Sequence, residues 1–133
     1  MKKIKKIQEQ KIGKIKPETE LRPDYRSQIP KFSFEFLENS KCQHNEKVEI
    51  FNTLYQISRH TWQELIQLGK SGIGYEILDL TQIKCRIPSN PIFENISQVT
   101  VFHKAPHLPV IGFKVHDTFY IFYIDRDYKA YKH

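Results

Sequence analysis

The first regular pattern in the chain is an alternation of aromatic and polar residues. Phe32, Phe34 and Phe36 are separated by Ser33 and Glu35. A period of two residues is typical of a strand that buries one face. We therefore predict a half-buried strand here, and we expect the folded domain to begin with it.

The segment from Glu46 to Gly69 has the spacing of an amphipathic helix instead. Its residues near one face recur every three or four positions, and they are Phe51, Leu54, Ser58, Trp62, Leu65 and Ile66. Thr61 and Glu64 match the sequence of a capping box, which marks the start of a helix. The pattern predicts a pair of helices or one kinked helix, with the second part ending at Gly69.

The C-terminal half is rich in short apolar segments that are typical of strands. We predict strands at Tyr75–Leu78 and Gln82–Arg86, then three antiparallel strands at Gln98–Lys104, Val110–His116 and Thr118–Asp125. The last strand contains TFYIFYI, which is apolar on both faces and favours a central position in the sheet. The order of elements predicts an α+β fold: an N-terminal strand, a helix pair, and an antiparallel sheet of about four to five strands.

The charge of the 133-residue chain is concentrated at its start. Residues 1–16 contain seven lysines and one acidic residue, so they carry the whole net charge of +6, and the rest is formally neutral. Three prolines follow, at positions 17, 23 and 30. We predict a flexible basic arm over residues 1–30 and a single domain over residues 31–133. Alternatively, the spaced isoleucines of the arm favour a basic amphipathic helix on a partner or membrane surface.

Several classes of site and location are disfavoured by the composition. Cys42 and Cys85 are far apart and lack paired Cys or His spacing, so we expect two reduced thiols, no metal site and no cofactor. No stretch approaches the roughly 20 apolar residues of a membrane span, and no apolar run follows the basic start as in a signal peptide. We expect a cytoplasmic protein that does not enter a membrane.

Candidate chemistry is concentrated after residue 98. Alternation places Lys114 and His116 on one face of their predicted strand, while His103, Lys104 and His107 lie at the end of the preceding strand and in the connection after it. Histidine exchanges protons near neutral pH and lysine supplies fixed positive charge, as metal-free RNA cleavage requires. The alternative is that these residues form only the solvated face of a sheet.

The segment FHKAPHLPVIGFKVHDTFYIFYID, residues 102–125, resembles the end of toxins of the RelE/HigB/ParE type. The resemblance implies a ribosome-dependent or gyrase-directed toxin. By position, it implies roles in RNA cleavage for Lys104, Lys114, Arg126 and Tyr128. We add His116 to this predicted catalytic set. We predict that nucleic acid binds to lysines of the arm and to two histidines, one in the predicted strand Gln98–Lys104 and one in the connection after it. These residues are Lys2, Lys3, Lys5, Lys6, His103 and His107.

Two features depart from that family. The chain has only five arginines, and the arm and the segment between Tyr75 and Ile87 are not typical of it. The first hypothesis is a toxin-like endoribonuclease that acts on RNA or the ribosome, with an antitoxin as its protein partner. The second is a non-enzymatic module, encoded by a phage or mobile element, that binds nucleic acid or protein. A third expectation is a homodimer formed edge to edge, which would place the tyrosine-rich end in an interface.

Overall fold

The computed structural model describes residues 25–38, 41–104 and 108–132. Two helices and five strands follow one another as β1 (Lys31–Ser33), α1 (His44–Ile57), α2 (Trp62–Ile73), β2 (Tyr75–Asp79), β3 (Gln98–Phe102), β4 (Val110–Val115) and β5 (Thr118–Ile124). Short 3-10 helices lie at Tyr25–Ser27, Leu80–Gln82 and Pro91–Phe93. The predicted α+β class is confirmed.

All five strands form one sheet in the order β1-β5-β4-β3-β2. The run from β2 to β5 is antiparallel, as predicted, but β1 pairs in parallel with β5 and makes the sheet mixed. β5 is an internal strand, as its apolar sequence indicates, although β4 occupies the middle. The tight turn at His116 and Asp117 joins β4 to β5 where the sequence placed it.

The sheet has a hydrophobic core on each face. The helix-side core contains α1 and α2 together with sheet residues, and its members include Ile57, Trp62, Leu65, Phe102 and Phe119. Among the described residues, the opposite core has no helix longer than one turn. It is formed by the sheet, the segment of residues 80–97 and the C-terminus, and its members include Ile83, Phe93, Val101, Phe113 and Tyr131. Both faces of the central strands are therefore buried, which explains their nearly continuous apolar sequence.

Sequence reasoning was wrong about where the first strand stops. Leu37 donates its backbone N–H to the carbonyl of Phe34 at 3.0 Å, so the chain turns after Ser33 and the alternation no longer follows one face. Phe34 is left half-exposed. Phe36 instead contacts Phe93 with ring centroids 4.9 Å apart, on the face opposite the helices.

The helix pair is confirmed, and the backbone of the second helix leaves helical geometry at Gly69, where that helix was predicted to end, but a further turn follows. Thr61 caps α2 as expected: its hydroxyl accepts from the Glu64 N–H at 3.2 Å, and the Glu64 carboxylate accepts from the Thr61 N–H at 2.8 Å. Gly69 adopts a left-handed φ of 65° and kinks the helix, which then continues to Ile73. Gly74 ends it with a φ of 74°, a conformation that favours glycine.

The predicted strand over Gln82–Arg86 is also wrong. The chain forms a 3-10 turn at Leu80–Gln82 and then runs without regular structure to Asn90. Its apolar residues pack against the sheet face from a covering segment rather than from a paired strand. Apolar spacing alone does not distinguish these two arrangements.

The C-terminal segment is held by a buried carboxylate. Asp125, fully buried at the end of β5, accepts hydrogen bonds from the backbone N–H groups of Lys129 at 2.8 Å and Ala130 at 2.9 Å. The Ala130 carbonyl in turn accepts from the Lys84 N–H at 2.7 Å. These bonds fasten Ala130 and Tyr131 over the second core.

The described residues begin at Tyr25, within the predicted arm. Pro30 is buried, and the Gln28 carbonyl accepts from the Trp62 backbone N–H at 3.0 Å, so residues 25–30 pack on the domain. The rest of the predicted arm, residues 1–24, lies outside the described residues. Within the described ranges, no helix combines the length and the apolar character needed to cross a membrane.

We predict that Asp125→Asn lowers the free energy of unfolding by about 1–3 kcal/mol, because an amide oxygen cannot replace both acceptor atoms and one buried N–H loses its partner. Urea denaturation of the two proteins measures the difference. Asp127→Asn is the matched control, since Asp127 is exposed. Equal stability of wild type and Asp125→Asn would contradict the role given to this carboxylate.

Candidate functional site

A cleft opens beside the second half of β5 because β1 is short. β1 pairs only with Thr118, Phe119 and Tyr120, and the chain then turns away from the sheet. The resulting cavity has a volume of about 470 Å³. We call it the β5 cleft, and its lining residues are Phe36, Leu37, Glu38, Lys41, Arg86, Pro88, Ser89, Phe122, Tyr123, Ile124, Arg126 and Asp127.

Aromatic rings form a fixed part of the cleft wall. Phe36 is packed against Phe93 and lies 5.9 Å from Tyr120, and the Phe122 ring lies 5.0 Å from Phe113. Tyr123 remains partly exposed. Burial raises the pKa of its phenol above the usual value, with smaller contributions from nearby acidic groups, so the hydroxyl is a neutral donor at physiological pH. The wall offers ring surface and one hydrogen-bonding group.

Three cationic side chains line the same cleft. Arg86 forms an ion pair with Glu38 through one terminal nitrogen at 2.7 Å, and both side chains are largely exposed, at 83% and 68%. Such exposed pairs contribute little to stability and exchange partners readily. Lys41 is exposed as well. Two carboxylates, Glu38 and Asp127, also line the cleft, so its charge is nearly balanced.

Arg126 is fixed in place by the start of α1. Its Nε donates to Oε1 of Glu46 at 2.8 Å, and the same oxygen accepts from the backbone N–H of Gln43 at 2.8 Å. The hydrogen bond to Glu46 is the main reason that the pKa of Arg126 is raised. One carboxylate oxygen thus joins the cap of α1 to the cleft, while the terminal nitrogens of Arg126 remain as donors for an anion.

Lys114 lies at the other end of the sheet, packed between aromatic rings. Its ammonium is 3.7 Å from the centre of the Tyr25 ring and 5.1 Å from that of Trp62. Burial lowers the pKa of Lys114 below its usual value, an effect that neighbouring charges and the Tyr25 hydroxyl modify. Gly112 and Lys114 face the helices, whereas His116 is exposed in the turn with a φ of 55°.

Lys104 and Arg126 lie at the end of the sheet opposite Lys114. One row of paired residues crosses β3, β4 and β5 and consists of Phe102, Val110 and Ile124. Lys104 comes two residues after Phe102, and Arg126 comes two residues after Ile124. Six residues separate Val110 from His116, which is about 20 Å of strand. The predicted catalytic set therefore divides into two groups too far apart to contact one phosphate.

The remaining predicted residues have separate positions. Tyr128 is half-exposed in the same loop as Arg126 and has a left-handed φ of 59°. His103 contacts Glu76, with Nε2 3.1 Å from Oε1, beside a weaker contact of Glu76 with Lys70 at 3.7 Å. Lys2, Lys3, Lys5, Lys6 and His107 lie outside the described residues.

Of the residues that line the cleft, Arg126 alone had been predicted from the sequence as a candidate. Lys41 and Arg86 lie in segments without regular structure, so no periodicity places them near β5. Phe36 has the sequence pattern of an ordinary core residue in an aromatic-rich domain. The early turn after Ser33, which opens the cleft, has no Pro or Gly to signal it.

No protein-family model, curated protein or solved structure matches this chain. Within the part of the chain that the structure describes, no three His, Cys, Asp or Glu side chains are grouped so that they could hold a metal ion.

We predict slow alkylation of Cys85, which precedes Arg86 in the cleft wall. Burial is the main cause that raises the pKa of this thiol to about 11. The thiolate is the reactive form, so the rate of reaction with iodoacetamide should rise roughly tenfold per pH unit between pH 7 and about 10. Mass spectrometry of Cys85 peptides measures it. A rate equal to that of the urea-unfolded chain would show that this wall is open.

Proposed function

We propose that this protein binds single-stranded RNA and that the β5 cleft holds one nucleotide of it. The observation that carries the proposal is the placement of Arg86, Arg126 and Lys41 around a partly aromatic cavity of about 470 Å³. Cavities of roughly 300–1,000 Å³ suit small ligands. Arginine and lysine bind phosphate, and exposed rings such as that of Tyr123 stack on unpaired bases.

The two arginines have different roles in this proposal. Arg126 is held by Glu46 and presents a fixed donor, so it positions the phosphate at little entropic cost. Arg86 is paired with the exposed carboxylate of Glu38. When RNA binds, Arg86 leaves this carboxylate and forms an ion pair with the phosphate. Glu38 and Asp127 limit the total positive charge, which favours one phosphate in a defined position over a continuous run of them.

The proposal extends to the biological setting. We place the protein in the cytoplasm, as a toxin-like component of a toxin–antitoxin or mobile-element system, with RNA or the ribosome as its target and an antitoxin as its protein partner. The formally neutral body supports a local binding site over a broad electrostatic surface. The separation of Lys114 and His116 from Arg126 favours binding over cleavage by the full predicted set.

A second candidate, RNA cleavage at the edge of the β5 cleft, is favoured by the backbone of Tyr128, which follows the lining residues Arg126 and Asp127 in the chain. A left-handed φ of 59° is unfavourable for a large side chain, and such conformations concentrate at functional sites. In this candidate the ribose 2′-oxygen bonds to phosphorus and the bond from phosphorus to the 5′-oxygen breaks. Arg126 stabilises the charge on the phosphorane, the Tyr128 hydroxyl donates a proton to the leaving 5′-oxygen, and water takes up the proton of the 2′-hydroxyl.

We predict that Arg86→Gln weakens binding of a labelled single-stranded RNA about tenfold, the effect of losing one charge-assisted hydrogen bond. Fluorescence anisotropy of the full chain measures it. The slope of log affinity against log salt should fall by about 0.7, the contribution of one phosphate contact on a single strand. Arg86 is exposed, so this variant should fold normally.

Arg59→Gln provides the matched control for that experiment. Arg59 is an exposed arginine beside Tyr55 at the end of α1, outside the cleft. It should leave both affinity and salt slope unchanged. Equal losses in Arg59→Gln and Arg86→Gln would mean that binding follows overall charge, and the cleft would not be the site.

For the second candidate, we predict that wild type shortens the labelled RNA and that Tyr128→Phe, which lacks the proton-transferring hydroxyl, abolishes cleavage without loss of binding. Gel electrophoresis of the RNA after incubation measures this. His116→Ala, at the far end of the sheet, should cleave normally. Intact RNA with wild-type protein would leave the binding function alone.

A further inference from the structure

The outer edge of β2 has backbone groups that no described strand pairs. β2 ends the sheet, with β3 as its one strand neighbour. The His103 N–H donates to the Gly74 carbonyl at 3.1 Å, and the Leu80 N–H donates to the Ser97 carbonyl at 2.8 Å. The backbone N–H and C=O groups of successive residues point to opposite edges of a strand, so those of the even-numbered residues from Gly74 to Leu80 point toward β3. Tyr75, Ile77 and Asp79 therefore direct their backbone groups outward.

These outward groups do not form a complete donor row. The Asp79 N–H is already bound by the Gln82 side-chain oxygen at 3.0 Å. The remaining donors are the N–H groups of Tyr75 and Ile77, and the remaining acceptors are the carbonyls of Tyr75, Ile77 and Asp79. An antiparallel partner must offer acceptors opposite the first two residues and needs no acceptor opposite Asp79.

We propose that this edge pairs with a second copy of the same chain, antiparallel, about a twofold axis at Ile77. In that register each Ile77 N–H donates to the carbonyl of the other Ile77, and each Tyr75 N–H donates to the Asp79 carbonyl of the second copy. The four free donors of the two strands are then satisfied, and each Tyr75 carbonyl takes the place of the Gln82 side-chain oxygen on the Asp79 N–H of the second copy. The outward groups of the strand are thus complementary to those of a second copy.

The side chains fit the same register. Ile77, which is 40% exposed, meets its own copy on the axis. Tyr75 lies opposite Asp79, and Glu76 lies opposite Leu78, so no two like charges are opposed. Burial is the main cause that raises the pKa of Tyr75, so its hydroxyl is a neutral neighbour for the Asp79 carboxylate. A register centred on Glu76 would place the two Glu76 carboxylates opposite each other.

Some of the features that commonly block edge pairing are missing from β2, although the strand is short and carries two acidic residues, Glu76 and Asp79. Its sequence, YEILD, contains no proline, glycine or lysine, and its pairing with β3 has no bulge. The tyrosine-rich C-terminal end is a poorer interface, since Tyr131 is buried and Tyr120 packs against Phe36 and Phe93. Pairing through β2 leaves the β5 cleft, three strands away, open in both copies.

Sedimentation velocity of the full chain tests the proposal over micromolar to millimolar concentrations, after nuclease treatment so that no RNA bridges two copies. Five-residue strands bury a small area, so we expect a reversible, micromolar dimer. Ile77→Lys places two ammonium groups on the axis and should raise the dissociation constant at least tenfold. Ile77→Pro removes an outward N–H only, so it should also give monomer while circular dichroism shows a folded chain.

Ile92→Lys is the matched control, because Ile92 is 44% exposed in a 3-10 helix away from this edge. It should dimerise as wild type does. A monomeric wild type at every concentration would overturn the proposal, and so would a dimer that survives Ile77→Lys. Hydrogen exchange gives a second readout: the Tyr75 and Ile77 amides should be protected in concentrated wild type and exposed in Ile77→Lys.

Discussion

A sheet that is apolar on both faces must be covered on both faces, and the helix pair that the structure describes covers one of them. The second face is covered by the irregular segment of residues 80–97 and by the C-terminus. Such covers lack internal hydrogen-bond ladders, so they depend on specific attachments. The buried carboxylate of Asp125 is the main one, and it joins the end of β5 to the last residues described.

The β5 cleft follows from this arrangement. It opens where the helix layer, the irregular cover and the short β1 fail to meet beside β5. Its walls therefore come from all three, with Lys41 before α1, Arg86 from the cover and Phe36 after β1. Glu46 links the cleft to the helix layer through Arg126. The cationic groups of the cleft are thus held by elements that also complete the two cores.

The sequence was informative where hydrophobic periodicity extended over many residues or where a helix-capping motif was present. The α+β class, the helix pair, the Thr61 cap and the strands β2, β3, β4 and β5 follow from spacing and turn residues, whereas the strand predicted at Gln82–Arg86 does not form. It was less informative where the tertiary structure decides, as at Phe36, which a turn moves to the other face, and at Gly69, which kinks α2 without ending it. The site was predicted least well: Lys114 and His116 share a strand with Gly112, but only the sheet register shows that Arg126 lies about 20 Å away.

The central claim is that RNA binds at the β5 cleft and not at the Lys114 end of the sheet. Titration of isotopically labelled protein with a short single-stranded RNA, followed by NMR of backbone amides and arginine side chains, tests it most directly. We expect the largest shifts at residues 36–41, 86–89 and 122–127, with saturation at a common affinity. Shifts that centre on Lys114, His116 and Tyr25, or no shifts at all, would contradict the account.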